Sequence, residues 1–154
     1  MKIEYKKLSE IKPYKNNPRI NENAVPYVME SIQQYGFKVP IVVDKNNIII
    51  TGHTRFLASE RLGLERVPVI VASDLTEEQA NAFRLADNKV SEQAKWDTDK
   101  LEEELNTIDN KPLMETMGFD IKTIEEEIAE DEEESTKIEC PKCGYIGEEY
   151  EFDI

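Results

Sequence analysis

Ile48-Ile49-Ile50-Thr51-Gly52-His53-Thr54-Arg55-Phe56-Leu57-Ala58 joins an apolar strand to a helix through a single glycine, and the fold class turns on that junction. Three successive isoleucines favour extended, buried backbone. After Gly52 the spacing becomes helical, with Phe56, Leu57 and Leu62 as buried positions and Gly63 as the stop. The first amides of a helix have no internal partners and lie at the positive end of its dipole. A phosphate satisfies both demands. Gly52 lets a ligand approach the backbone, Thr54 offers a hydroxyl, and Arg55 supplies a fork-shaped cation. A plain strand-to-helix turn with Arg55 in solvent would use the same residues, and the segment alone leaves the two open.

Outward from the junction, short regular elements alternate. Ile3-Glu4-Tyr5 and Leu8 to Ile11 are β-compatible, and the prolines and asparagines of Pro13-Tyr14-Lys15-Asn16-Asn17-Pro18-Arg19 predict an ordered loop. Val25, Val28, Met29 and Ile32 form a helical stripe that tolerates Pro26 in its first turn and ends at Gly36. Pro40 to Val43 and Ile48 to Ile50 read as two strands joined by the turn Asp44-Lys45-Asn46-Asn47, and Val67 to Val71 as another strand. Thr76-Glu77-Glu78-Gln79 matches a capping box, opening a helix expected to bury Ala80, Phe83, Ala86 and Val90. Asp97 can cap a helix through Leu101, Leu105 and Ile108, and Asp120 another through Ile121, Ile124 and Ile128. Glu130 to Glu134 reads as a charged linker, and Cys140 to Ile154 as a small hairpin.

Charge divides the chain sharply. Residues 1–96 carry 14 Lys and Arg against 12 Asp and Glu, a net +2, whereas residues 97–154 carry 5 against 21, a net −16. Such asymmetry marks parts with different tasks. The acidic part would be repelled by a nucleic-acid backbone and the front part would not. Three regions are expected: a module over 1–96, an acidic helical extension over 97–130, and a linker with a terminal hairpin over 131–154. No apolar run approaches the ~20 residues of a membrane span, and the first residues carry no apolar leader core, so a cytoplasmic location is expected.

Asn17-Pro18-Arg19, Gly36 to Ile41, Gly52 to Arg55 and Val67-Pro68-Val69, in this order, resemble the ParB-like N-terminal domain of the ParB/sulfiredoxin superfamily, from about Lys7 to Asn88. The resemblance implies a small mixed α/β (α+β) sheet with helices. It also implies a Gly-x-x-Arg triphosphate box at Gly52 to Arg55, preceded by the Gly-x-x-x-Pro loop Gly36 to Pro40. Asp87-Asn88 stands about where that family has a Glu-Asn pair beside nucleotide and metal. Sulfiredoxins carry a catalytic cysteine after the glycine; here His53 follows Gly52, so that activity is not expected. Chromosomal ParB proteins usually carry two arginines in the box and a basic helix-turn-helix beyond it; here the box holds one arginine and the region after Trp96 is acidic, so centromere reading with DNA sliding is not expected. Leu75 to Gln79, Arg84 to Lys89, Trp96-Asp97 and Met117 to Asp120 are more similar to the ParB-like modules of phages and mobile elements, found beside DNA methyltransferases.

The function so implied is a nucleotide-binding module, for CTP or ATP with Mg²⁺, acting in phage or mobile-element DNA transactions with slow hydrolysis as an option. Gly52, His53, Thr54 and Arg55 would hold phosphates, Arg19 and Arg55 neutralise charge, and Asp87 and Asn88 position metal or ribose. Three alternatives stand beside it: a DNA-binding or nuclease-like protein, a small-molecule kinase of the same superfamily, and an adaptor for a DNA methyltransferase. His53, the single histidine, suits acid/base catalysis by its pKa, or serves as a hydrogen-bonding cap or a stacking surface. Glu30, on the helix before Gly36, is the base under the kinase reading and a rim residue otherwise. Cys140 and Cys143 have the spacing of one zinc knuckle, half of a tetrahedral set. Zinc shared across a homodimer, a partner-supplied pair, a degenerate half-ribbon and a redox couple all fit, with the half-ribbon preferred. The glutamate runs read as solvated helix faces, with DNA mimicry or docking to a basic partner as the alternative.

Overall fold

The computed structural model describes residues 2–119 and the strands Lys137–Glu139 and Ile146–Glu148. The chain divides between Lys95 and Trp96 into two units.

In the first unit, β1 (Ile3–Lys7), β2 (Ile41–Asp44), β3 (Ile49–Thr51) and β4 (Arg66–Ala72) form one mixed sheet in the order β1-β4-β2-β3. β1 runs antiparallel to β4, β4 parallel to β2, and β2 antiparallel to β3. Pro68 pairs with Tyr5, but the β2 ladder begins only at Val69. The missing N–H therefore falls just below the stretch of β4 that has neighbours on both edges. The β2–β3 turn is fixed by Asp44, whose Oδ1 accepts the amides of Asn46 (2.8 Å) and Ile48 (2.9 Å). The β2–β3 register then shifts, with Val42 opposite Thr51 but Val43 opposite Ile49, so Ile50 is the extra residue of a bulge. Bulges re-aim the chain beside functional sites, and Gly52 follows two residues later.

Helices α1 (Val25–Tyr35), α2 (His53–Arg61) and α3 (Glu77–Ser91) complete the unit, with α1 against α2 and α3 against β3. Ile11, Ile41, Val43, Ile49, Phe56, Val67 and Val69 form the core. The capping box is present: Thr76 Oγ1 accepts Gln79 N–H at 3.2 Å and Gln79 Oε1 accepts Thr76 N–H at 2.9 Å.

Two expectations are corrected. Leu8–Glu10 is a 3₁₀ turn rather than extended, held as Glu10 Oε2 accepts the Lys7 amide. On α3 the buried residues are Ala80 and Arg84, while Phe83 is 41% and Val90 70% exposed.

In the second unit, α4 (Thr98–Asn106) is capped by Asp97, whose Oδ1 accepts Lys100 N–H at 3.2 Å. α5 (Lys111–Thr116) is capped in the same way by Asn110. Leu105 and Met114 centre a small core with Leu101, Ile108, Leu113, Met117 and Phe119, and Trp96 meets Phe119 edge-on. Glu103 and Glu104 are exposed on α4. β5 (Lys137–Glu139) and β6 (Ile146–Glu148) pair antiparallel. The expected Asp120 helix, the Glu130–Glu134 run, Cys140 and Cys143 lie outside the described residues. Among the described residues no helix is long and apolar enough to cross a membrane.

Candidate functional site

Gly52 leaves β3 with φ 100° and ψ 26° and serves as the N-cap of α2. An L side chain rarely adopts that conformation, so glycine is required here to turn strand into helix. Having no side chain, it leaves the opening amides of α2 without a side-chain cap. The Arg55 guanidinium folds back over this turn: a Cβ on Gly52 would stand 3.3 Å from one of its terminal nitrogens.

Arg55 is half-buried; its carbonyl accepts Ser59 Oγ at 2.7 Å, and among the described residues its guanidinium forms neither hydrogen bond nor ion pair. Burial lowers its pKa, and the Asp87 carboxylate facing it works in the opposite direction. A partly desolvated cation beside free amides is a receptor for an anion.

The neighbouring side chains are held in place. Thr54 Oγ1 donates to Asn21 Oδ1 at 3.2 Å. Asn21 and Asn17 both donate to the carbonyl of Arg19, at 3.1 and 3.2 Å. Arg19 in turn reaches across to α3, where Nη1 donates to Asn88 Oδ1 at 2.6 Å, and Asn88 Nδ2 donates to the Arg84 carbonyl at 2.8 Å. Thr54, Asn21, Arg19 and Asn88 are thus drawn into one network around the head of α2. Asp87, also on α3, is the carboxylate nearest in effect to Arg55.

His53 opens α2, and its Nε2 accepts the Tyr14 amide at 3.2 Å. That bond needs the lone pair of Nε2, so the neutral ring carries its proton on Nδ1. Burial first, and the charge of Arg84 second, hold its pKa below the ordinary imidazole value. Glu30 lies on α1, where its Oε1 accepts Gln34 Nε2, one turn on, at 3.0 Å. It shares no hydrogen bond or ion pair with the network at α2.

Arg84 is the residue that sequence reading passed over. It is 6% exposed. Its Nε donates to the Ile49 carbonyl at 2.8 Å, its Nη1 to Asn81, and its Nη2 stands 3.6 Å from Asp44 Oδ2. Its Cζ lies over the Tyr14 ring, 4.1 Å from the centroid. The signal was present: Asn81, Arg84 and Asn88 fall at i, i+3, i+7, a polar stripe at helical spacing beside Ala80. A cleft of about 140 Å³ between the β2–β3 turn and the start of α3 is floored by this cluster.

Over 80 residues the chain is 44% identical to the ParB-like nuclease domain-containing protein YnaK of Escherichia coli (strain K12), covering 51% of this chain and 92% of that protein. Its fold is similar to the C-terminally truncated chromosome-partitioning protein ParB from Caulobacter crescentus complexed with CTP-gamma-S, with a TM-score of 0.56 at 20% identity, over 68% of this chain and 62% of that one. A Pnob8-like ParB-N domain matches with a TM-score of 0.50 at 18% identity, over 95% of this chain and 56% of that one. At these identities the two structures speak for the fold alone. Residues 2–89 match the ParB N-terminal domain family, and with that match spanning more than half of its length the chain belongs to this family.

Proposed function

We propose that the first unit binds a nucleoside triphosphate, CTP or ATP, through Gly52 to Arg55, in the service of DNA transactions of a phage or mobile element. The observation that carries this is the uncapped head of α2 with the half-buried, unpaired Arg55 guanidinium folded over Gly52. The amides would take phosphate oxygens, Arg55 and Arg19 would offset their charge, and Thr54 and His53 would line the site. That the Caulobacter ParB of like fold was solved with CTP-gamma-S supports the same choice of ligand.

Among the described residues no group of three carboxylate, imidazole or thiol side chains is placed to hold a metal. A Mg²⁺ ion therefore fits as one carried in by the phosphates, with Asp87 and Asn88 the side chains able to meet it. Its chemistry would be charge neutralisation at the phosphates. For Cys140 and Cys143 the proposal is a zinc half-site of two thiolates.

The test is a thermal melt with CTP and with ATP, each with Mg²⁺. A ligand bound only to the folded state at 100 times its Kd stabilises by about 2.7 kcal/mol, and this gain should disappear in Arg55→Ala. No shift with either nucleotide, coupled with steeply salt-dependent retention on DNA, would replace the proposal with a DNA-binding one. No response to either, with a DNA-modifying protein co-purifying, would replace it with an adaptor.

A further inference from the structure

We propose that Arg84 is a positioning residue of the phosphate site: working through Tyr14 and α3, it fixes the His53 ring with its proton on Nδ1 and sets the reach of Arg19. The role rests on reading Gly52 to Arg55 as that site.

A buried guanidinium is costly unless its donors are met, and here each nitrogen has a partner: Ile49 O, Asn81 and Asp44. Ala80, one turn earlier, packs as a small apolar side chain, and the Arg84 Nε bond to the Ile49 carbonyl ties α3 to the edge of β3. What the guanidinium adds is a fixed cation, and the Tyr14 ring lies under its Cζ. Tyr14 belongs to the loop between Lys12 and Arg19, and with its ring pinned its amide is presented to His53 Nε2. The lone pair of Nε2 is thereby occupied, leaving Nδ1–H as the donor in the first turn of α2, where an anion would sit. On the other side, the same seating of α3 places Asn88. Its amide group is oriented by the Arg84 carbonyl, so that its oxygen faces Arg19. The Arg84 side chain thus aligns His53 through Tyr14, and bears on Arg19 only through its hold of α3 on β3, since the carbonyl that Asn88 meets is backbone.

His53 is the single histidine, so its ring nitrogens give unambiguous ¹⁵N signals. In the ligand-free full chain at about pH 8, where imidazole is neutral, wild type should show Nδ1 protonated and Nε2 bare. Arg84→Met and Tyr14→Ala should each show a mixture of tautomers, and each should weaken CTP–Mg²⁺ or ATP–Mg²⁺ binding by about tenfold. Arg84→Lys, which keeps charge but loses the fork and the flat face, should not restore either readout. Tyr14→Phe, which keeps ring and amide, should behave as wild type. If Arg84→Met fails to fold, Tyr14→Ala carries the test from the loop side. Variants that melt lower yet keep the wild-type tautomer and affinity would reduce Arg84 to a structural residue and overturn the proposal. A wild type that ignores both nucleotides would overturn the phosphate site and the positioning role with it. The tautomer arm, read without ligand, tells that failure apart from a failure of Arg84 to fix His53.

Discussion

Replacing Gly52 with alanine tests fold and site together, and Gly63→Ala is its control. Both glycines have positive φ, +100° and +67° respectively. The second lies near the left-handed well at about +57°, and a Cβ there would meet nothing within 4 Å, so alanine should cost about 1 kcal/mol. The first lies well outside that well, which places alanine in the upper part of the 1–3 kcal/mol range for strained backbone, about 2–3 kcal/mol. Ile41 Cα and Cγ1, each 3.4 Å from the added methyl, leave it no room to swing aside, so the Arg55 guanidinium at 3.3 Å is the group that gives way. At about 4–8 °C per kcal/mol for a unit of this size, Gly52→Ala should lower the melting temperature by about 8–24 °C and Gly63→Ala by about 4–8 °C. Scanning calorimetry or circular dichroism reads both. Repeating the melts with CTP–Mg²⁺ and ATP–Mg²⁺ should show the ligand shift kept in Gly63→Ala and lost in Gly52→Ala. Equal destabilisation of the two variants, or an undiminished nucleotide shift in Gly52→Ala, would refute the placement of Arg55 over a strained turn.

Two further outcomes follow from the same geometry. Because the folded state holds His53 below its unfolded pKa, the unfolded chain binds more protons just below pH ~6.5. Stability should therefore be full above that pH and decline as the pH falls toward the folded value, and melts from pH 8 to 5.5 should show this decline made shallower in His53→Gln; an identical profile in the variant would sink the assignment. Thr76→Ala removes the acceptor of the Gln79 amide and should cost about 1 kcal/mol, read as a drop of about 4–8 °C in the melting temperature of the first unit; a drop under about 1 °C would mean that the cap does not hold α3.

The strand–Gly52–helix junction, the Asp44 turn, the stripe of α1 and the Thr76 box were legible because each depends on local chemistry: a φ only glycine tolerates, an oxygen two to four residues from an amide, an apolar repeat near 3.6. What could not be read was the inward face of α3. Its apolar residues Phe83, Ala86 and Val90 advertise one face, and the helix buries another through Ala80 and Arg84. The cause lies in the sheet. β3 is an edge strand, and edges carry backbone groups with no ladder to enter. Ile49 gives its N–H to the Lys12 carbonyl at 2.9 Å, and its own carbonyl takes Arg84 Nε at 2.8 Å. A leucine at position 84 would bury more apolar area yet leave that carbonyl without a donor, a loss of about 1–3 kcal/mol, and take the ion-pair partner from Asp44 Oδ2. Hydrophobic periodicity scores only transfer from water, so it cannot register a helix face selected by the hydrogen bonds of the strand beneath it.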